Sequence, residues 1–476
     1  MQEFCMFKQW LTTLLLLTLL STNSLATAFA QPANVRSSGD CNEDDFEVEE
    51  YENQVVVKLV DPNDTATIDA IVLALNVQLV DTVLASRGIY LLEVAMGDDA
   101  EDLNDQIMAQ WPTQLVYAEA NYQGDIPEAN PSIAWAWGGE DPAPIGTQYA
   151  NTMLNLSAAQ QLSQGAGVTV AIIDTGIQTD HPFFSTTQVL TGYDFIDDDF
   201  TPDDTPDGAD SDGDGIPNEA VGHGTHVAGI VHTVAPKAKL MPLRVLDGDG
   251  GGNLFVIAEA IVYAAENGAD VISLSLGSVF ESDVLEEAVD VAVEEYGVVI
   301  VAAAGNSNTT QPHYPAAFGN KVLAVTSIDQ NSVKASAASY GCWVDIAAPG
   351  ESIFSSFPTD GYAWWSGTSM ATPFIAGQAA LLKSRQLSGT ARGNDDIVQV
   401  IVNTADPIDA QNVITYTGML GAGLPNMVTA LNTIEQVPTQ VGMGVSGVDS
   451  AEITHTITLL TTTLLAVTIL LRKRQR

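Results

Sequence analysis

Four polar side chains lie where the sequence predicts nucleophilic chemistry: Asp174, His223, Asn306 and Ser369. Asp174 and Asn306 follow short apolar runs, and His223 is flanked by glycines. Ser369 lies in the small-residue stretch 366–373, at a predicted junction between a loop and a helix. A helix that begins there would place free backbone N–H groups and the positive end of its dipole beside the hydroxyl. This arrangement suits a nucleophile whose reaction develops negative charge on a substrate oxygen.

Alternating strands and helices between residues 146 and 436 are predicted to position these side chains. The predicted strands are 168–173, 239–246, 271–276, 298–304, 322–328 and 344–347. The predicted helices are 225–232, 253–267, 283–296 and 372–386. Strands that are apolar throughout indicate an α/β domain, with a parallel sheet covered by helices on both faces. Functional side chains of such sheets lie beyond the carboxyl ends of the strands, where Asp174 and Asn306 fall.

The order of the four motifs resembles that of the subtilisin-like serine proteases. The matching segments are Asp174-Thr175-Gly176, Gly222-His223-Gly224-Thr225-His226, Gly305-Asn306 and Gly367-Thr368-Ser369-Met370-Ala371. The resemblance implies that Ser369 attacks the scissile carbonyl while His223 moves the proton and Asp174 orients the imidazole. It also implies that Asn306 donates to the oxyanion, together with the backbone N–H of the serine.

The resemblance further implies which residues contact a substrate. One strand would pair with an extended peptide, a second would form the opposite wall of the first specificity pocket, and a histidine would shape its floor. These residues are Ser275, Leu276 and Gly277, then Ala302 and Gly305, then His313. Small residues on both walls predict a broad specificity that favours large apolar side chains.

Other interpretations remain open at this point. Each motif alone has an ordinary structural explanation as a capping residue or a turn. His223 and His226 have the spacing of a metal-binding pair, although no acidic third ligand lies at the spacing of known zinc peptidases. The whole chain could also be an inactive surface-binding module, or a hydrolase or ligase for non-protein acyl groups. The intact motifs disfavour the first class, and the preceding small domain disfavours both.

That small domain is predicted over residues 53–122. Its pattern is β-α-β-β-α-β, with segments at 55–60, 65–75, 77–84, 88–94, 98–110 and 114–122. This order indicates a ferredoxin-like α+β fold. The domain resembles the inhibitory propeptide of the subtilisin-like proteases, which implies a zymogen with an intramolecular inhibitor. Residues 123–145, which are rich in proline and glycine, are predicted to be a linker that contains the maturation site.

The two ends of the chain predict export and attachment. Residues 1–30 have the features of a signal peptide, with an uncleaved anchor as the alternative, and residues 31–52 form an acidic segment predicted to be disordered. After a spacer at 437–452, the uncharged segment 453–471 spans roughly 28 Å as a helix and precedes the basic tail 472–476. We expect a secreted protease anchored at the cell surface, in a bacterial envelope. A removable sorting signal and a surface-lying helix are the alternatives.

Composition limits the partners and the redox chemistry. The chain has 16 Lys and Arg against 60 Asp and Glu, a net charge of −44, which argues against nucleic-acid binding. Soluble relatives commonly act alone, so we expect a monomer. The three cysteines are Cys5, Cys41 and Cys342. Cys5 would be lost when the signal peptide is cleaved. No disulfide framework is expected in the mature enzyme if processing separates Cys41 from Cys342.

An acidic insertion at residues 197–219 departs from the compact family pattern. It contains oxygen ligands at alternating positions and a glycine at the sixth position, as the start of a calcium loop does. The candidate ligands are Asp210, Asp212, Asp214 and Asn218. Val221 stands at the twelfth position, where an EF-hand needs a bidentate glutamate, so the loop is not a full EF-hand. The prediction is a structural calcium site, with a solvated acidic loop as the alternative and no organic cofactor.

Overall fold

The computed structural model describes residues 50–94, 100–127, 135–186, 188–386 and 394–436. The predicted signal peptide, nearly all of the acidic segment, the spacer, segment 453–471 and the basic tail lie outside these residues. Their assignments stay predictions. No helix within the described residues is long and apolar enough to cross a membrane.

The small domain has the predicted order of elements. Its elements are β1 (Glu50–Leu59), α1 (Thr65–Leu75), β2 (Gln78–Asp81), β3 (Ile89–Glu93), α2 (Ala100–Gln110) and β4 (Leu115–Asp125). The antiparallel strands lie in the order β2-β3-β1-β4, which is the ferredoxin-like arrangement. Alternation along β1 buries Val55 and Val57 in this domain's own core, while Val56 packs into a core that belongs mainly to the large domain.

The large domain contains one parallel sheet. The strands of the large domain, in this sheet and outside it, are β5 (Ala136–Gly139), β6 (Thr169–Asp174), β7 (Tyr193–Asp194), β8 (Lys239–Arg244), β9 (Gly251–Asn253), β10 (Val271–Leu274), β11 (Val299–Ala303), β12 (Val322–Ile328), β13 (Ile346–Pro349), β14 (Ile353–Phe357) and β15 (Gly361–Trp365). Its helices are α3 (Ala143–Thr147), α4 (Tyr149–Met153), α5 (Leu156–Leu162), α6 (His223–Val234), α7 (Leu254–Glu266), α8 (Asp283–Asp290), α9 (Thr368–Gln386), α10 (Asn394–Asn403) and α11 (Met427–Gln436). A π-helical turn, Val291–Glu295, continues α8.

Seven strands form this sheet in the order β13-β12-β11-β10-β6-β8-β7, all parallel. Every residue of β6, β10, β11 and β12 is buried, because helices cover both faces of the sheet. The predicted α/β fold class is confirmed. Both domains lie in one compact unit that ends at Ile434.

The predicted linker at 123–145 contains regular structure. Strand β4 continues to Asp125, and β5 pairs with β15, completing a three-stranded antiparallel sheet in the order β14-β15-β5. Proline and glycine content led to the linker prediction. The backbone of β5 nevertheless finds its partners on the edge of a hairpin more than 220 residues away, and local sequence contains no signal of that pairing.

Cys342 is disulfide-bonded. The other two cysteines of the chain, Cys5 and Cys41, lie outside the described residues and precede the small domain. The cysteine prediction for the mature enzyme, which depends on where the chain is processed, stays a prediction.

Candidate active site

Asp174 and His223 form a buried pair at the carboxyl end of the parallel sheet. Asp174 is the last residue of β6 and His223 is the first residue of α6, and neither is exposed to solvent. Nδ1 of His223 lies 2.8 Å from Oδ1 of Asp174, which also accepts a hydrogen bond from the backbone N–H of Thr175 at 2.8 Å. A Cβ atom on Gly224 would lie 2.1 Å from the carbonyl oxygen of Gly176. Only glycine therefore lets α6 approach the strand end this closely.

Asp204 supports this pair and was missed by the sequence analysis. Its carboxylate accepts hydrogen bonds from the backbone N–H groups of Gly222 (2.8 Å) and Thr225 (3.0 Å) and from the Thr225 hydroxyl (2.7 Å). Burial raises the pKa of Asp204 to about 6, although these donors lower it. The carboxylate thus satisfies orphan N–H groups at the start of α6 and fixes the position of His223. Its place within the acidic insertion concealed this role.

His226 does not share a metal site with His223. Nε2 of His226 lies 3.2 Å from the carbonyl oxygen of Ile353 and 3.1 Å from that of Ala363. Burial lowers the pKa of His226 to about 3, so the ring is neutral and bonds to the hairpin β14–β15. The two imidazoles have separate partners, which removes the basis for the metal-pair interpretation.

Ser369 lies in the first turn of α9, which begins at Thr368 and not at the predicted residue 372. Pro373 has no N–H with which to reach the carbonyl of Ser369 four residues earlier. The hydroxyl of Ser275 donates to that carbonyl at 2.9 Å, and Oγ of Ser369 lies 3.3 Å from the carbonyl oxygen of Ser275. These two contacts hold the serine against the segment that follows β10.

Asn306 lies just beyond the end of β11 and is bound to the start of α9. Its Oδ1 accepts a hydrogen bond from the backbone N–H of Thr368 at 3.0 Å. The Thr368 hydroxyl lies 3.2 Å from the backbone nitrogen of Gly305, which donates to it. The bond from Thr368 orients the carboxamide beside Ser369, and the bond from Gly305 attaches Thr368 to the loop that follows β11.

His313 lies between the two predicted walls of the specificity pocket. A Cβ atom on Gly277 would be 2.6 Å from Cε1 of His313, and one on Gly305 would be 3.4 Å from its ring. Nδ1 of His313 lies 3.3 Å from the carbonyl oxygen of Ala303. The imidazole therefore fills space between the walls, while Leu276 and Ala302 are fully buried behind them.

The chain's own residues 123–126 occupy the groove beside this pocket. Strand β4 pairs antiparallel with β9, joining Gln123 to Asn253 and Asp125 to Gly251. On its other side, Asp125 exchanges two backbone hydrogen bonds with Gly277, at 3.1 and 3.0 Å. The segment thus lies as a middle strand between β9 and the predicted substrate-pairing residues. Sequence reasoning found one of these two edges and missed β9, which is short and rich in glycine.

Residues 165–444 match the sequence profile of the subtilase family. The chain belongs to the subtilase family. It is 41% identical over 292 residues to thermitase from Thermoactinomyces vulgaris, an alignment that covers 59% of this chain and 96% of thermitase. It is 39% identical over 317 residues to a thermophilic serine proteinase from Bacillus sp. (strain AK1), covering 64% of this chain and 71% of that protein.

A solved structure agrees with this assignment. Fervidolysin from Fervidobacterium pennivorans, described as a keratinolytic enzyme related to subtilisin, superposes with a TM-score of 0.64 at 27% identity. The superposition covers 81% of this chain and 61% of fervidolysin. The chain is a subtilisin-like serine protease, as the motif order predicted.

The small domain of this subtilase docks on the N-termini of two helices of the large domain. Glu119 accepts hydrogen bonds from the backbone N–H groups of Asp283 (2.9 Å) and Val284 (2.8 Å) at the start of α8. Burial raises the pKa of Glu119 to about 7, although these donors lower it. Asn121 accepts from the backbone N–H of Phe255 at the start of α7, at 3.2 Å. These contacts use helix N-termini as sites for acceptor oxygens.

The scarce basic residues of the small domain add ion pairs at the same interface. Lys58 pairs with Glu287, and Arg87 pairs with Glu295 at 3.1 Å and with Glu266 at 3.4 Å. All three acidic partners belong to the large domain. The pairs are partly exposed, so each contributes modestly and is screened by salt.

Three of the four predicted calcium ligands of this subtilase lie together. Carboxylate oxygens of Asp210, Asp212 and Asp214 lie within 4.8 Å of one another on the exposed insertion. The predicted fourth ligand, Asn218, uses its Oδ1 to accept hydrogen bonds from the backbone N–H groups of residues 207 and 208, at 3.0 and 2.8 Å. Burial raises the pKa of Glu219, and so do the negative charges of the aspartates that lie near it.

The insertion is attached to the loop that leads into β9. Asp249, which is 4% exposed, accepts hydrogen bonds from the backbone N–H groups of Ser211 (2.8 Å) and Glu219 (3.3 Å). The buried Arg244 binds Asp194 at 2.9 Å and Asp207 at 2.6 Å. The conformation of the acidic loop is thereby coupled to the edge strand of the groove.

Proposed function

We propose that this subtilase is an endopeptidase made as a zymogen, with Asp174, His223 and Ser369 as its catalytic triad. Oγ of Ser369 attacks the scissile carbonyl while Nε2 of His223 takes its proton and later gives it to the leaving amine. Asp174 holds the imidazole with Nδ1 protonated and stabilises the imidazolium that forms. The buried contact of 2.8 Å between these two side chains supports the assignment.

Asn306 is proposed to donate to the oxyanion together with the backbone N–H of Ser369. Its carboxamide is fixed through Oδ1 by Thr368, which supports a role for Nδ2 as the donor. A preorganised donor of this kind typically accounts for about 100- to 1,000-fold in turnover.

The single observation that carries the proposal is the chain's own strand in the groove. Residues 123–126 pair on both sides, with β9 and with Gly277, as an extended substrate would. Ile126 is buried against the large domain. The small domain would hold this strand in place and act as the intramolecular inhibitor, and maturation would cut the chain between residues 123 and 137.

The specificity pocket is proposed to accept apolar side chains. Ser275, Leu276 and Gly277 form one wall, and Ala302 and Gly305 contribute to the other. His313 lies between them, so it would shorten the pocket and reduce the room for the largest aromatic side chains.

Calcium is proposed as a structural ion of the acidic insertion. Three carboxylates within 4.8 Å of one another, with the additional charge of Glu219 nearby, fit a hard divalent cation that prefers oxygen ligands. Such an ion would relieve their mutual repulsion. Because Asp249 ties the insertion to the loop before β9, the ion would also stabilise the groove.

Secretion, anchoring of the enzyme at a bacterial cell surface through residues 453–471, and monomeric action are proposals that depend on the sequence. The signal-like residues 1–30 and the acidic composition support export and solubility. Protein and peptide substrates are the expected partners, and the charge of −44 disfavours nucleic acid.

Labelling with a serine-directed fluorophosphonate tests the proposal. The full chain and its Ser369→Ala variant would be expressed with calcium and compared on one reducing gel. We expect label on a shortened wild-type band and none on a full-length variant. Label on both would show that another serine reacts, and no label on a folded, processed wild-type chain would support an inactive binding module.

A further inference from the structure

Two described segments of the chain, residues 123–126 and β5, lie near the catalytic site. Residues 123–126 lie in the groove upstream of the site, and β5 begins at Ala136 on the edge of β15. Strand β15 ends at Trp365, four residues before Ser369. The upstream segment occupies the acyl side of the site, so β5 marks the direction in which a leaving peptide departs.

Aromatic rings line this second side of the site. The ring centroid of Trp365 lies 5.3 Å from that of His223, with the planes nearly perpendicular. Phe357 packs on Gly222, where a Cβ atom would lie 2.4 Å from its ring. The indole nitrogen of Trp365 is buried and has no hydrogen-bond acceptor among the described residues.

Trp135 extends this aromatic surface into solvent. Its ring centroid lies 4.7 Å from Phe357 and 6.4 Å from Trp365, and the side chain is 40% exposed. Trp137 lies 6.1 Å from Phe357, edge to face, and covers Gly361. Half-exposed indoles over a buried aromatic floor present a stacking face to a neighbouring side chain.

We propose that β5 stays with the mature protease and that Trp135, with Phe357 and Trp365, forms a subsite for an aromatic side chain immediately after the scissile bond. The inference rests on the proposed function and names a substrate preference of the same site. After the small domain is removed, this part of the maturation region would therefore line the binding site for the residues that follow the scissile bond. Stacking of this kind favours an aromatic over a small polar residue by about tenfold.

Quenched fluorescent peptides with the same acyl side test this subsite. They carry Phe or Ser at the first or second position after the scissile bond, and the readout is the Phe-to-Ser ratio of kcat/KM within each variant. We expect a ratio of about 10 for the wild type and about 2 for Trp135→Ala, with Trp135→Phe in between. Trp364→Ala is the matched control, because Trp364 packs on Phe354 at 4.7 Å on the other face of β15 and its removal should keep the wild-type ratio.

Mass spectrometry of the mature enzyme supplies a second test. The proposal requires an N-terminus at or before Trp135, and an N-terminus beyond Trp135 would overturn it. A wild-type ratio near 1, or a ratio that Trp135→Ala leaves unchanged, would also overturn it while the protease activity stands. If the labelling experiment fails and no peptide is cut, the proposed function falls and this inference falls with it.

Discussion

Replacement of His313 by glycine is expected to lengthen the specificity pocket. The imidazole lies between Gly277 and Gly305, so close to the first that a Cβ atom there would be 2.6 Å from Cε1. The side chain is only 9% exposed, so its removal leaves a volume that a substrate ring can fill. The variant should therefore prefer larger side chains than the wild type does.

The magnitude follows from the apolar surface that the opened pocket would bury. Burying a full Phe side chain stabilises a complex by about 1.5–3 kcal/mol relative to leaving it exposed. If the wild-type pocket excludes most of that ring, the Phe-to-Ala ratio of kcat/KM should rise on the order of 10- to 150-fold. The change should come mainly from the Phe substrate.

The assay uses para-nitroanilides that differ only in the residue before the scissile bond. His313→Gln serves as the control, because it keeps a polar side chain of similar volume and should keep a low Phe-to-Ala ratio. Thermal unfolding of each variant separates pocket effects from loss of the 3.3 Å contact with Ala303. An unchanged ratio in a folded glycine variant that cleaves the Ala substrate normally would refute the reasoning.

Three further predictions concern metal, pH and covalent linkage. Calcium should raise the melting temperature, and Asp212→Ala should abolish the rise; no effect of chelation on either protein would contradict the site. Burial, followed by the charge of Asp81 in the small domain, raises the pKa of Glu259 from its ordinary value of 4.5 to about 9. The urea midpoint of a catalytically inactive precursor should therefore be highest below about pH 4.5 and fall as the pH rises towards 9. Glu259→Gln should flatten this profile, and an equally steep profile in the variant would contradict the assignment. On a non-reducing gel, a disulfide between Cys342 and a cysteine before residue 50 should keep the upstream fragment with the processed wild-type chain. The fragment should separate after reduction or in Cys342→Ser, and separation without reductant would exclude this linkage.

Local sequence was sufficient to predict the helices and strands that carry the motifs. Strand β12 and helix α1 have the predicted bounds. Asp174 ends one buried parallel strand and Asn306 follows another, as their apolar runs indicated. Pairings across long separations were not predictable in this way. Strand β9 has only three residues, two of them glycine, and it becomes a strand because the small domain supplies its partner. Asp204 likewise acquires its role only when the insertion folds back onto the start of α6.

The error at the start of α9 has a physical cause that lies in the site itself. The sequence predicts a helix that begins at residue 372, and proline in the first turn of a helix is compatible with that position. In the structure the helix begins at Thr368, and the missing N–H of Pro373 leaves the carbonyl of Ser369 available to the hydroxyl of Ser275. A proline that weakens the helix therefore connects the proposed nucleophile to the segment after β10 that is proposed to pair with a substrate. The local helix rule fails at this point because the backbone there serves the active site as well as the helix.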